Sequence, residues 1–130
     1  MLHYLSDLSE TFSRNIQEDS SALFIASEEL EGMDEDFIKQ LQKNDKGEVR
    51  LGCDYPTYYA IQKNCSNEKV REKLMLLFNN RAHPINGSVL DKMIAKRDQL
   101  AQVLGYPSYA HFALDREMAK KPEKAHEFLE

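Results

Sequence analysis

Apolar residues at Leu2, Leu5, Leu8, Phe12 and Ile16 recur at three- and four-residue intervals, which predicts an amphipathic helix at the start of the chain. The polar run Gln17-Glu18-Asp19-Ser20-Ser21 ends it. Ala22-Leu23-Phe24-Ile25 follows, too short for a helix and rich in strand formers, and is read as a short strand. Ser27 is expected to cap a brief turn through Glu28, Glu29 and Leu30 that stops at Gly32, since glycine accepts the left-handed conformation at a helix end. Asp34 is placed to cap the next helix, with Met33 and Ile38 as a hydrophobic staple and Phe37, Ile38 and Leu41 on its inner face. After the turn cluster Asn44-Asp45-Lys46-Gly47, Val49 and Leu51 alternate with Glu48 and Arg50, the period of a half-buried strand. The two strands, near residues 22–26 and 48–52, can pair as one antiparallel ribbon, which needs helices packed on it.

From Pro56 onward the pattern is helical. Pro56 suits a first helical position, where its missing N–H costs nothing. Ser66 is expected to cap a helix carrying Val70, Leu74, Leu77 and Phe78, which fades at Asn79-Asn80 and ends in His83-Pro84-Ile85-Asn86-Gly87. Ser88 then caps the longest helix, with Val89, Leu90, Met93, Ile94, Leu100, Ala101 and Leu104 on its apolar face and Gly105 closing it. Tyr106-Pro107-Ser108 turns into a helix over 109–119 with Tyr109, Phe112, Ala113 and Met118 inward. Pro122 opens a last helix whose edge is Ala125, Phe128 and Leu129. The resulting fold class is mainly α, a multi-helix partial lobe with one two-stranded element. Residues 1–130 are taken as a single partial domain, because no stop signal follows Leu129 and the sequence reads as cut in mid-helix.

Composition narrows the function classes. Hydrophobic residues at 42% and charged residues at 30% are those of a globular chain with a core, not a disordered one. The net charge of −5 and the interspersed basic residues argue against nucleic acid or a membrane surface as partner, since neither a basic stripe nor a basic face is visible. No run approaches the roughly 18–20 apolar residues of a membrane span, and Met1-Leu2-His3-Tyr4-Leu5 lacks the form of a signal peptide. Two cysteines, Cys53 and Cys65, match no zinc spacing; a disulfide between them stays open, but with five Met and no secretory leader they favour a reducing, intracellular compartment.

Each chemical candidate meets a plainer reading. His126-Glu127 begins an HExxH pattern, but position 130 is Glu130, so a surface histidine is the expectation. His111 lies one turn before Asp115, an ordinary i,i+4 pair unless a nucleophile accompanies it. Glu28, Glu29, Glu31, Asp34, Glu35 and Asp36 lack calcium-loop register and read as helix-start charges. Asn86-Gly87-Ser88 is formally a glycosylation acceptor, relevant only to a secreted protein. No GxGxxG or GxxxxGK[ST] run is present, and Tyr55, Tyr58 and Tyr59 read as packing with hydroxyls at the surface. No residue is therefore assigned a catalytic, metal-binding or cofactor-binding role.

One run is more specific. Arg97-Asp98-Gln99-Leu100-Ala101-Gln102-Val103-Leu104-Gly105-Tyr106-Pro107-Ser108-Tyr109-Ala110, with Met118-Ala119 and Phe128-Leu129-Glu130 after it, resembles the zinc oligopeptidases related to thimet oligopeptidase and mitochondrial intermediate peptidase. Upstream, Leu5 to Asn15, Leu30-Glu31-Gly32-Met33, Val49-Arg50-Leu51, Tyr55-Pro56-Thr57-Tyr58, Asn67 to Lys73, and Arg81 resemble the same family in the same order. Met33, the polar Asn79-Asn80 and the short stretch His83–Gly87 depart from its pattern. The resemblance implies a helical bowl around a channel for short peptides, with helix faces here forming channel wall and Gly32 and Gly105 reversing the chain. It implies zinc for the full-length family, held by an HExxH helix and a later Glu that have no counterpart in these residues. The leading expectation is an N-terminal-lobe portion of a zinc metalloendopeptidase that does not cleave peptides alone. The partners implied are short peptides, the catalytic lobe, or a second copy through the last helix, in cytoplasm or mitochondrion. The competing expectation is a free-standing helical module that binds peptides or proteins.

Overall fold

The computed structural model describes all residues from Met1 to Glu130, as seven α-helices and one two-stranded sheet. The chain forms two compact units, one made of Ile16–His83 and the other of Met1–Asn15 with Pro84–Glu130.

In the unit Ile16–His83, strands β1 (Ala22–Ile25) and β2 (Val49–Gly52) pair antiparallel, with Leu23 opposite Leu51 and Ile25 opposite Val49. Those two pairs share a face, and Ile25, Val49 and Leu51 on it are buried, while Phe24 on the other face is exposed. The ribbon is covered by α3 (Tyr55–Asn64) and α4 (Glu68–Asn79), which bury Ile61, Cys65, Val70 and Leu74 against it. Short α2 (Glu35–Gln40) adds Phe37 and Ile38 at the margin, as its apolar spacing requires. Asp34 caps α2 by accepting from Asp36 N, as expected.

Three caps in this unit differ from the sequence reading. Ser27 is the first residue of a 3-10 turn (Ser27–Glu29) whose N-cap, Ala26, supplies no side-chain bond. Asp54 caps α3 through Thr57 N, so Pro56 sits one position inside the helix start. Asn67, not Ser66, caps α4, accepting from Lys69 N and donating to Glu29 O. In both later cases an Asx carboxyl or amide one residue from the expected cap reaches the open amides. Gly32 has φ +86, and a Cβ there would lie 2.6 Å from Asn64 O, so the turn presses its backbone onto the α3–α4 corner. Ser66 N seals that corner by donating to Glu31 O at 2.8 Å.

In the other unit, α1 (Leu2–Gln17) packs Leu8 and Phe12 on Val89 and Met93 of α5 (Ile85–Val103). The longest helix begins three residues before Ser88, and Asn86 and Gly87 lie inside it. Asn86 is buried because its side chain is fully engaged: Nδ2 donates to Phe12 O and Oδ1 accepts from Asn15 Nδ2, each at 2.9 Å. That pairing outweighs the poor helix propensity of Asn-Gly. Val89, Met93, Leu100 and Ala101 are buried as expected, whereas Leu90, Ile94 and Leu104 are exposed. Gly105, φ +82, ends the helix. The next helix is shorter than expected: α6 covers Tyr109–Leu114, Ala113 is exposed, and Met118, expected inward, is 99% exposed on the connection to α7 (Pro122–Leu129).

Candidate functional site

The expected pairing of His111 with Asp115 does not form. Asp115 instead accepts from the Tyr106 hydroxyl at 2.9 Å, and that bond raises the tyrosine pKa by favouring the phenol. His111 turns the other way. Its Nδ1 meets Ser108 Oγ at 2.8 Å, and its Nε2 lies 3.6 Å from Glu123 Oε1, an ion pair only when the ring is protonated. Sequence reasoning missed this Ser108–His111–Glu123 line. The signal for its first half was present, since Ser108 opens α6 three residues before His111; the Glu123 contact crosses a connection whose path no periodicity reveals. Ser108 Oγ also accepts from His111 N, so its hydroxyl acts as the N-cap of a six-residue helix.

His126 is a surface histidine, as expected, and lies 3.2 Å from Glu130 at the end of α7. Glu35 and Asp36 lie in the first turn of α2 with Lys39 within 3.7 Å, also as expected for helix-start charges. Cys53 and Cys65 are both buried and unpaired, and burial pushes the Cys53 thiol up, away from the thiolate that binds metal. Asn86 belongs to the α1–α5 contact and is not an accessible glycosylation acceptor.

Tyr58 stacks on Phe78 at 3.8 Å between ring centroids, and the Arg81 guanidinium lies 3.7 Å from the same ring. Tyr55 and Tyr59 stack on each other at 6.0 Å, both more than half exposed. The ladder is packing at its inner end and free aromatic surface at its outer end.

Zinc needs three or four converging His, Cys, Asp or Glu side chains. No group of three such residues comes together in this chain, and the two His–Glu contacts supply two ligand groups each. The residues present therefore do not fit a zinc ion, and no step of metal chemistry can be built on them.

The chain is thus a mostly helical segment that carries the resembling motifs in order and brings no three metal-binding side chains together. Residues 61–130 match Peptidase family M3, and the chain belongs to that family. It is similar to a probable thimet oligopeptidase of Arabidopsis thaliana, 33% identical over 97% of this chain and 18% of the relative. It is also similar to oligopeptidase A of Salmonella typhimurium, 29% identical over 96% of this chain and 21% of the relative. A third relative is the mitochondrial intermediate peptidase of Coccidioides immitis, 31% identical over 97% of this chain and 16% of the relative. The chain thus spans about a fifth or less of the length of these relatives. Peptidases of this family are zinc-dependent metallopeptidases in general. No helix of the chain is long and apolar enough to cross a membrane.

Proposed function

We propose that this chain supplies scaffold and substrate-channel wall to a zinc metalloendopeptidase of the oligopeptidase type, acting on short peptides, and that it does not cleave peptides by itself. The observation that carries the reading is colinear similarity to family M3 peptidases across nearly the whole chain, joined to the absence of any three converging metal ligands. Exposed apolar side chains on α7, Phe128 and Leu129, offer a surface for the catalytic lobe or a second copy of the chain. Short peptides are the ligand class, in keeping with relatives named oligopeptidases; the compartment is mitochondrion, as one relative's name carries it, or cytoplasm. The free-standing binding module finds no support, since the relatives named are peptidases.

The test is cleavage of a quenched fluorescent peptide by the chain with added zinc, with a chelator-treated control. No turnover is expected. Chelator-sensitive turnover in a clean preparation would overturn the reading, because it requires a metal site the fold does not contain.

A further inference from the structure

The unit Ile16–His83 is inserted between the two sequence stretches Met1–Asn15 and Pro84–Glu130, and its own two ends meet at one neck. At that neck Asp19 Oδ2 accepts from Ala82 N at 2.7 Å, a bond between residues 63 positions apart, while Oδ1 accepts from Ser21 N at 2.9 Å. Ala82 is buried and has φ 58, a left-handed backbone that an L-residue with a Cβ adopts only when its surroundings hold it there. Two arginines brace the same place. Arg50 Nη2 donates to Ser20 O at 3.2 Å, and Arg81 donates from Nε to Phe78 O and from Nη1 to Cys53 O. We propose that Asp19 is a clasp that closes the neck of this unit and gates its local opening at the Arg81–Ala82 bond.

The clasp joins two segments that neither the sheet nor a helix ladder connects. The bond from Ala82 N to Asp19 is the direct hydrogen-bonded link between residues 19–21 and residues 81–82, while Arg50 ties Ser20 to β2 and Arg81 ties its own segment to Cys53 and Phe78, so release of the carboxylate frees the strained Ala82 to return to an ordinary backbone conformation. The buried core under the sheet, which includes Val49, Leu51, Ile61 and Leu74, contains neither Asp19 nor Ala82. Local openings of this kind expose one peptide bond while the rest of a unit stays folded, and a protease that cuts the open form reads their population.

The experiment is limited trypsin digestion of the full chain, following cleavage after Arg81 by mass spectrometry. Cleavage after exposed Arg116 serves as the internal standard, and cleavage after Arg71 and Lys73 within α4 reports opening of the core. Asp19→Asn should speed cleavage after Arg81 by at least about tenfold, the loss expected for a charge-assisted bond, with the α4 sites unchanged. Arg50→Gln, which removes only the link to Ser20, should act at the same bond but less. An unchanged rate after Arg81 in Asp19→Asn overturns the clasp. So does acceleration shared equally with the α4 sites in both variants, since that is general destabilisation.

Discussion

Single positions in this chain carry constraints that residue type alone only partly announces. Gly32 combines φ +86 with a backbone pressed onto Asn64 O, so both the conformation and the space exclude a side chain. Gly32→Ala should therefore cost about 2 kcal/mol or more, measured as a lowered urea midpoint, whereas the same change at Gly87, where nothing lies within 4 Å of a Cβ, should be neutral or stabilising. Asn86 shows the opposite case: a turn-forming residue at a supposed loop proves to be a helix residue bonded to Phe12 O and Asn15. Its role was illegible because the partners lie more than 70 positions away in sequence. Asp54 makes a pH prediction. Burial raises its pKa, but the Thr57 N–H and hydroxyl bonds outweigh that and leave it below the usual 3.8. A depressed carboxylate stabilises the fold fully above its unfolded-state pKa and loses that contribution as pH falls through the folded value. Stability should thus fall more steeply between about pH 5 and pH 2 in the native chain than in Asp54→Asn, which keeps a capping oxygen but no charge. Equal slopes in urea titrations at the two ends of that range would contradict the assignment.

At the scale of elements, all seven α-helices and both strands were legible: apolar spacing marked α1, α2, α4 and α5, Pro56 and Pro122 marked the starts of α3 and α7, and strand-forming residues and alternation marked β1 and β2. Ends were harder. Caps slipped by a residue at Ser66 and Pro56 because adjacent Asn67 and Asp54 compete for the same open amides, and a one-dimensional pattern does not decide between neighbours. The last turn assigned to α6 failed for a different reason: Met118 looks like an inward residue by spacing, but the helix stops at Leu114 and leaves it wholly exposed. Ser108 is the decisive cap of that short helix, accepting from His111 N and meeting the ring at Nδ1. Ser108→Ala should cost about 1 kcal/mol and loosen His111, read as changed imidazole chemical shifts in a proton NMR spectrum. Ser108→Asp, which restores a capping oxygen, should recover most of the stability. Failure of that rescue would mean the hydroxyl matters through His111 rather than through the helix.

Over the whole molecule, the family was legible, whereas a metal site needs side chains that converge: of the four histidines, His111 and His126 each meet a single glutamate, and no three metal-binding side chains come together. What the chain does hold is two small cores and a good deal of unspent apolar surface. Leu74 is fully buried in one core, while Phe128 and Leu129 on α7 are 89% and 81% exposed. If α7 contributes to stability only through its inner face, Phe128→Ser should shift the unfolding midpoint by no more than about 0.5 kcal/mol. Leu74→Ala should cost about 2–5 kcal/mol, the transfer of the lost carbons plus the cavity left behind. Equilibrium urea unfolding of the two variants decides it. A large loss from Phe128→Ser would show that this ring is already packed within the chain in solution. Near-neutrality would leave the ring free for the contact with a catalytic lobe or a second copy proposed above, where burial of its apolar area would act on an assembly and not on this chain alone.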